Sequence, residues 1–192
     1  FAKHDAFLML GGEVRSLKVL AHNQNPMTIN YGIPNKRQCA SCHVSDVSTR
    51  GLLNPIGPKA KFLNWDIKDA STGQMKNQLV QWSEKGYLAN LPSDLKTVPQ
   101  VAKWDLESSG TLDQRAKAYL EINCAHCHNP KGPAANTALY LMTDVATESP
   151  NYGHCKPPTA AGFASGGRSF DVTPGKADES ILMFRLQQSH LA

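Results

Sequence analysis

Apolar and polar positions alternate along the N-terminal stretch of the chain. Val14, Ser16, Lys18 and Leu20 point one way in an extended backbone, and Arg15, Leu17 and Val19 the other; Met27 to Ile33 follows a similar pattern. A period of two predicts strands. Gly11-Gly12 and Asn23-Gln24-Asn25-Pro26 supply turn chemistry, so residues 5–33 are expected to form a small hairpin or three-stranded antiparallel sheet. From 34 to 72 no period is sustained, and Pro34, Gly51, Pro55, Gly57 and Pro58 predict loop. A helix is expected from Gln74 to Lys85, where Leu79 and Trp82 share a face and Gly86 provides a stop. Pro92 and Pro99 make 89–110 a connector. Thr111-x-x-Gln114 is a capping box, and Leu112, Ala116, Tyr119 and Leu120 recur at helical spacing, so a helix should run from Thr111 straight into Cys124. Residues 129–176 are rich in Gly, Pro, Ala and Ser. A last helix is expected over Glu179–Gln188, carrying Ile181, Leu182, Arg185 and Leu186.

Composition narrows the class. A chain of 192 residues has room for one domain or two small ones. No apolar run approaches eighteen residues, which excludes a membrane-spanning helix. Aromatic residues are only 7%, a lean supply for a core of this length, so a bound apolar group would help to fill it. The net charge of +4 is unfocused by any Lys/Arg run, which argues against nucleic acid as a partner.

The cysteines change the picture. Four of the five fall in two blocks, Cys39-Ala40-Ser41-Cys42-His43 and Cys124-Ala125-His126-Cys127-His128. Both read Cys-x-x-Cys-His, the attachment pattern of haem c. Each thiol adds across one haem vinyl group to give a thioether, the spacer sets the separation of the sulfurs, and the next His reaches the iron. Cys39 and Cys42 are therefore expected to hold one haem with His43 as proximal ligand, and Cys124 and Cys127 a second with His128. A four-Cys zinc site would need closer pairs and no adjacent His. A thioredoxin-like pair would need a βαβ pattern. Two local disulfides would leave both histidines unexplained. Two haems bring four propionates, which would offset the charge of the bare chain.

The sixth iron ligand decides between carrier and enzyme, because a filled coordination shell favours electron transfer and an open one permits chemistry. For the first haem Met75, at the expected start of a helix, is the leading candidate, with Met27, His22 and His4 as alternatives. For the second, His154 is best spaced. Met142 follows His128 too closely, and Met183, beside Leu182 and Phe184, reads as core. Cys155, the odd cysteine, is a buried unreactive thiol, an intermolecular disulfide partner, or a thiolate ligand of the kind seen in thiosulfate-oxidising dihaem enzymes. Trp65, Trp82 and Trp104 read as packing residues whose indole N–H groups could hold propionates, and Arg37, Lys59 and Arg168 are cations of suitable type. Gly166-Gly167-Arg168 could offer N–H groups to an anion.

These residues carry a resemblance. Tyr31-Gly32-Ile33-Pro34-Asn35-Lys36-Arg37-Gln38 ahead of the first motif, Gly57-Pro58-Lys59-Ala60, Asn77-Gln78-Leu79-x-x-Trp82, Arg115-Ala116-x-Ala118-Tyr119-Leu120-x-x-Asn123 ahead of the second motif, and Asp171-Val172-x-Pro174-Gly175 occur in order. Together they resemble a family of bacterial exported dihaem c-type proteins of poorly defined function, sometimes found alongside quinoprotein sugar-dehydrogenase-like domains. The Pro174-Gly175 to Ser180-Ile181-Leu182 stretch resembles the part of a cytochrome c lobe that precedes a Met-Pro pair, yet no Met-Pro follows.

The expected fold is mainly α with much loop: two cytochrome c-like haem lobes plus the small N-terminal antiparallel β-sheet. Residues 1–100 would hold the β-hairpin and first lobe, and 101–192 the second lobe. The expected function is a dihaem c-type cytochrome that passes electrons between redox partner proteins in the periplasm or another exported compartment, an export signal having been removed from a longer precursor. The alternative is a dihaem oxidoreductase, thiosulfate-oxidising or peroxidase-like, with an unusual or open distal position. A third reading is an assembly module, the sheet edge serving as the docking surface.

Overall fold

The computed structural model describes residues 7, 9–20, 24–44, 46, 53, 55–160 and 162–187. Chain contacts divide it into two compact units, Phe1–Pro55 and Ile56–Ala192. The boundary expected near residue 100 falls inside the second unit.

In the first unit, strands β1 (Glu13–Leu20) and β2 (Pro26–Ile33) form an antiparallel ribbon, within a residue of where the alternation predicts them. The register pairs Leu17 with Ile29 and Val19 with Met27, so these four apolar residues share one face, with Val14 and Leu20 on the other. Ser16 donates to the Asn30 amide oxygen (2.7 Å) across the opposite face. Helix α1 (Lys36–His43) follows at once. It forms where loop is expected because Asn35 and Gln38 make a capping box: Asn35 Oδ1 accepts from Gln38 N–H and Gln38 Oε1 from Asn35 N–H, both at 2.9 Å.

The second unit begins with helix α2 (Ala60–Leu63), followed by strands β3 (Asp66–Lys68) and β4 (Met75–Asn77), which pair antiparallel. Helix α3 (Gln78–Glu84) follows β4 directly, capped by the Asn77 side chain on Leu79 N. The helix expected over Gln74–Lys85 therefore loses its first turn to a strand. Buried Asn64 and Gln81 hold this corner together: Asn64 donates to the carbonyl of Val98, and Gln81 to those of Ile67 and Lys76. Helix α4 (Leu112–Asn123) is the longest. Its Thr111–Gln114 capping box forms as predicted and its last residue abuts Cys124. A set of short 3-10 turns leads to helix α5 (Ile181–Gln187). The residue expected to end it, Gln188, lies outside the described residues, as do His4 and His22.

The expected mainly α fold with two cytochrome c-like haem lobes does not form. The fold is small, mixed and loop-rich, 34% helical including 3-10 turns and 15% strand, with two small antiparallel sheets. Among the described residues of the first unit, α1 is the one α-helix, and an eight-residue helix beside a ribbon makes no helical lobe. The cause is local: Pro, Gly and Asn recur so often that helices between them stay short. The stripe on α4 is also turned. Leu112, Ala116 and Tyr119 are exposed, while Ala118, Leu120 and Glu121 face inward. A charged residue on the inner face defeats a reading based on apolar spacing alone.

The core of the second unit gathers around Leu120, Ala125, Leu141 and Tyr152, with Cys124, Leu139, Met142, Val145 and Leu182 packed against it. It is built on the second Cys-x-x-Cys-His segment.

Candidate functional site

The two Cys-x-x-Cys-His segments are placed differently. In the first unit Cys39, Cys42 and His43 all lie within α1, at i, i+3 and i+4, so one helix face carries all three. No residue of α1 is buried.

In the second unit the segment follows the end of α4. Cys124 N–H donates to Leu120 O (2.8 Å), and the N–H groups of Cys127 and His128 both return to Cys124 O (3.1 and 2.9 Å), a tight turn that keeps the two sulfur-bearing residues near each other. The Asn129 side-chain amide donates to the carbonyls of Ala125 and His126, and Ala134 N to Cys127 O. Gly132 makes this closure possible: a Cβ there would lie 2.4 Å from Cys127 O.

The His128 ring is oriented by its Nδ1, which lies 3.3 Å from Leu139 O. With the proton on Nδ1 donated to that carbonyl, Nε2 carries a lone pair, the form in which a histidine ligates a metal. Burial lowers the His128 pKa below its ordinary value, against the opposing pull of the Leu139 carbonyl, and Arg185 pushes the same way as burial. Both effects favour a neutral imidazole. Burial, assisted by Cys127, raises the Cys124 thiol above its usual range. Gly153 packs closely on the segment that supplies Leu139: its φ is +96°, and a Cβ would lie 2.8 Å from Leu139 Cδ1.

One turn of α4 before Cys124, Glu121 is buried, its side chain only 1% exposed. It accepts from Lys59 Nζ through one oxygen and from Lys61 Nζ through the other, each at 2.6 Å. Thr143 adds its backbone N–H and its hydroxyl, each at 2.8 Å. Burial alone would raise this carboxyl; the two ammonium groups and Thr143 prevail and pull it down to about 2. The Lys59 expected as a candidate for propionates is therefore committed to Glu121. Sequence reasoning missed both Glu121 and the Leu139 carbonyl. A backbone acceptor leaves no trace in residue identity, and a lone Glu on a helix reads as surface.

The remaining candidates are placed as follows. Met75 lies on β4, not at a helix start, with an exposed side chain. His154 is half-buried, bridged by its backbone to Val172 and set edge-on to the Tyr152 ring at 6.1 Å. Met142 packs on the core, Met183 is half-buried in α5, and Met27 is exposed on β2. Cys155 is exposed at φ 50°, its N–H bonded to Val172 O. The Trp65 indole N–H is used by Val101 O (2.9 Å), and Arg168 donates to the carbonyls of Asp178 and Gly166 while stacking on Phe184.

No disulfide joins any of Cys39, Cys42, Cys124, Cys127 and Cys155. Among the described residues no three His, Cys, Asp or Glu side chains converge as a metal cage, and no helix is long and apolar enough to cross a membrane. Compared with protein families, curated proteins and solved structures, the chain matches none.

Proposed function

We propose that the chain is an exported dihaem c-type protein that transfers electrons between redox partners. One observation carries the reading: Cys-x-x-Cys-His occurs twice, and in its second copy the histidine Nδ1 lies 3.3 Å from the Leu139 carbonyl, an arrangement that suits an iron ligand. In each copy the donor set, two cysteines three apart with a histidine directly after, fits haem c. Cys124 and Cys127 would carry the thioethers and His128 would be the proximal ligand; Cys39, Cys42 and His43 would do the same on α1. When bound, haem supplies one-electron exchange at iron. The chain would fix the sulfur spacing and direct the His128 imidazole through the Leu139 carbonyl, beside the apolar core built on Cys124 and Ala125. Covalent attachment of this kind points to an exported, periplasmic setting.

The test is ligand challenge of the purified protein. A carrier with both irons six-coordinate leaves the visible spectrum unchanged on addition of carbon monoxide to the ferrous form, or of cyanide or peroxide to the ferric form. Uptake of any of these by either haem would overturn the carrier reading and turn the assignment to a dihaem oxidoreductase.

A further inference from the structure

The buried Glu121 has no part in binding haem as proposed above, yet its partners lead to the His128 ring. Residues 139–142 form no regular element and Thr143 opens a turn, and hydrogen bonds pin this segment along its length. Leu139 O faces His128 Nδ1 at 3.3 Å, Leu141 N–H donates to His128 O at 3.0 Å, and Thr143 N–H donates to the Glu121 carboxylate at 2.8 Å. Between them, Tyr140 N–H turns the other way, to Asn151 O at 2.6 Å. The groups at 139 and 141 thus meet His128, and the segment is fastened at its far end by Glu121.

The fastening is stronger than one hydrogen bond. The Thr143 hydroxyl joins its own N–H on the same carboxylate oxygen, and Lys61 Nζ reaches both that oxygen (2.6 Å) and Thr143 Oγ1 (2.9 Å). Charge-assisted bonds to a desolvated carboxylate are short and directional. Leu141, at the middle of the segment, is 2% exposed and packs with Leu120 and Ala125, so the segment has little room to slide.

We infer that Glu121 is a positioning residue for the His128 imidazole, acting through the 139–143 segment. It sets where the Leu139 carbonyl stands, and that carbonyl sets the ring's direction and tautomer. The consequence for an iron rests on the haem reading above; the mechanical link between Glu121 and the segment does not.

Two substitutions separate position from charge. Glu121→Asp keeps the charge and withdraws the carboxylate by one methylene; Glu121→Gln keeps the length and removes the charge. Both are made in the full chain with its haems attached. Amide hydrogen exchange at Leu141 and Thr143 and the haem-methyl shifts of the ferric protein are then recorded by NMR. The inference predicts that Glu121→Asp speeds exchange at both amides about tenfold and changes the methyl shifts of the Cys124–Cys127 haem, with Glu121→Gln changing both less. Wild-type exchange and shifts in Glu121→Asp would overturn it. So would an effect of Glu121→Gln with Glu121→Asp silent, which would assign the carboxylate an electrostatic role instead. If Glu121→Asp does not fold, Thr143→Val removes the hydroxyl alone: a smaller change of the same direction is predicted, and unchanged exchange and shifts would overturn the inference. Mass spectrometry of the same samples counts attached haem. A chain without haem would end the functional proposal, and amide exchange would then decide the role of Glu121 by itself.

Discussion

The same five-residue pattern, Cys-x-x-Cys-His, sits in two different surroundings. On α1 it lies inside an eight-residue helix with a capping box at its start and no buried residue. After α4 it lies beyond the end of a twelve-residue helix, in a turn closed over Gly132 and built into the core of its unit. The first is shaped by a capping box and by Lys36 N–H donating to Leu10 O, the second by tertiary contacts that include a carbonyl on the histidine ring and a buried ion cluster one turn upstream. The five-residue pattern is written in the residues themselves, whereas the stiffness around it is written in what packs against them.

Four perturbations break or sharpen this contrast. The largest is removal of the buried carboxylate. Glu121→Ala removes the carboxylate shared by Lys59, Lys61 and Thr143 and is expected to cost about 3–5 kcal/mol, read as a lower denaturation midpoint of the second unit. α1 has no buried residue to act as such an anchor. Acid acts on the same group. Because its folded pKa of about 2 lies below the ordinary 4.5, Glu121 contributes stability that is complete above about pH 5 and lost as pH falls toward 2. About 3 kcal/mol is at stake, and a pH series of urea melts on the wild type and on Glu121→Gln should converge at the acid end. Next, Gly132→Ala places a methyl against Cys127 O and is expected to cost about 2 kcal/mol in thermal melts, loosening the second segment only. The smallest effects come from the caps. Asn35→Ala and Thr111→Ala each remove one capping side chain, at about 1 kcal/mol. Their consequences differ: amide exchange should show α1 frayed throughout, while α4, held by Ala118, Leu120 and Glu121, frays at its first turn alone.

The ribbon and α4 are legible from the residues because each carries a local signal, alternation in one and a capping box in the other. α1 carries the same kind of signal, Asn35-x-x-Gln38, but it follows Pro34 and lacks an apolar stripe, so a reading that weights periodicity passes over it. β4 takes the first turn of an expected helix because Met75–Asn77 pairs with Asp66–Lys68, a contact that propensity cannot see. The overall class fails for a related reason. Two haem motifs invite two helical lobes, but motif and architecture are separate inheritances of a sequence. At the site, the four motif cysteines and two histidines are plain in the chain. The Leu139 carbonyl and the Glu121 clamp are not, since the first is backbone and the second exists only once residues from α2, α4 and the 139–143 segment meet.

The central claim is that both segments carry covalent haem. It is tested most directly by a pyridine haemochrome count on the purified chain, joined to peptide mass mapping of the attachment sites. The account predicts two haems per chain, one on the peptide containing Cys39 and Cys42 and one on that containing Cys124 and Cys127. Unmodified thiols on either peptide, after expression with the haem-attachment machinery, would contradict it.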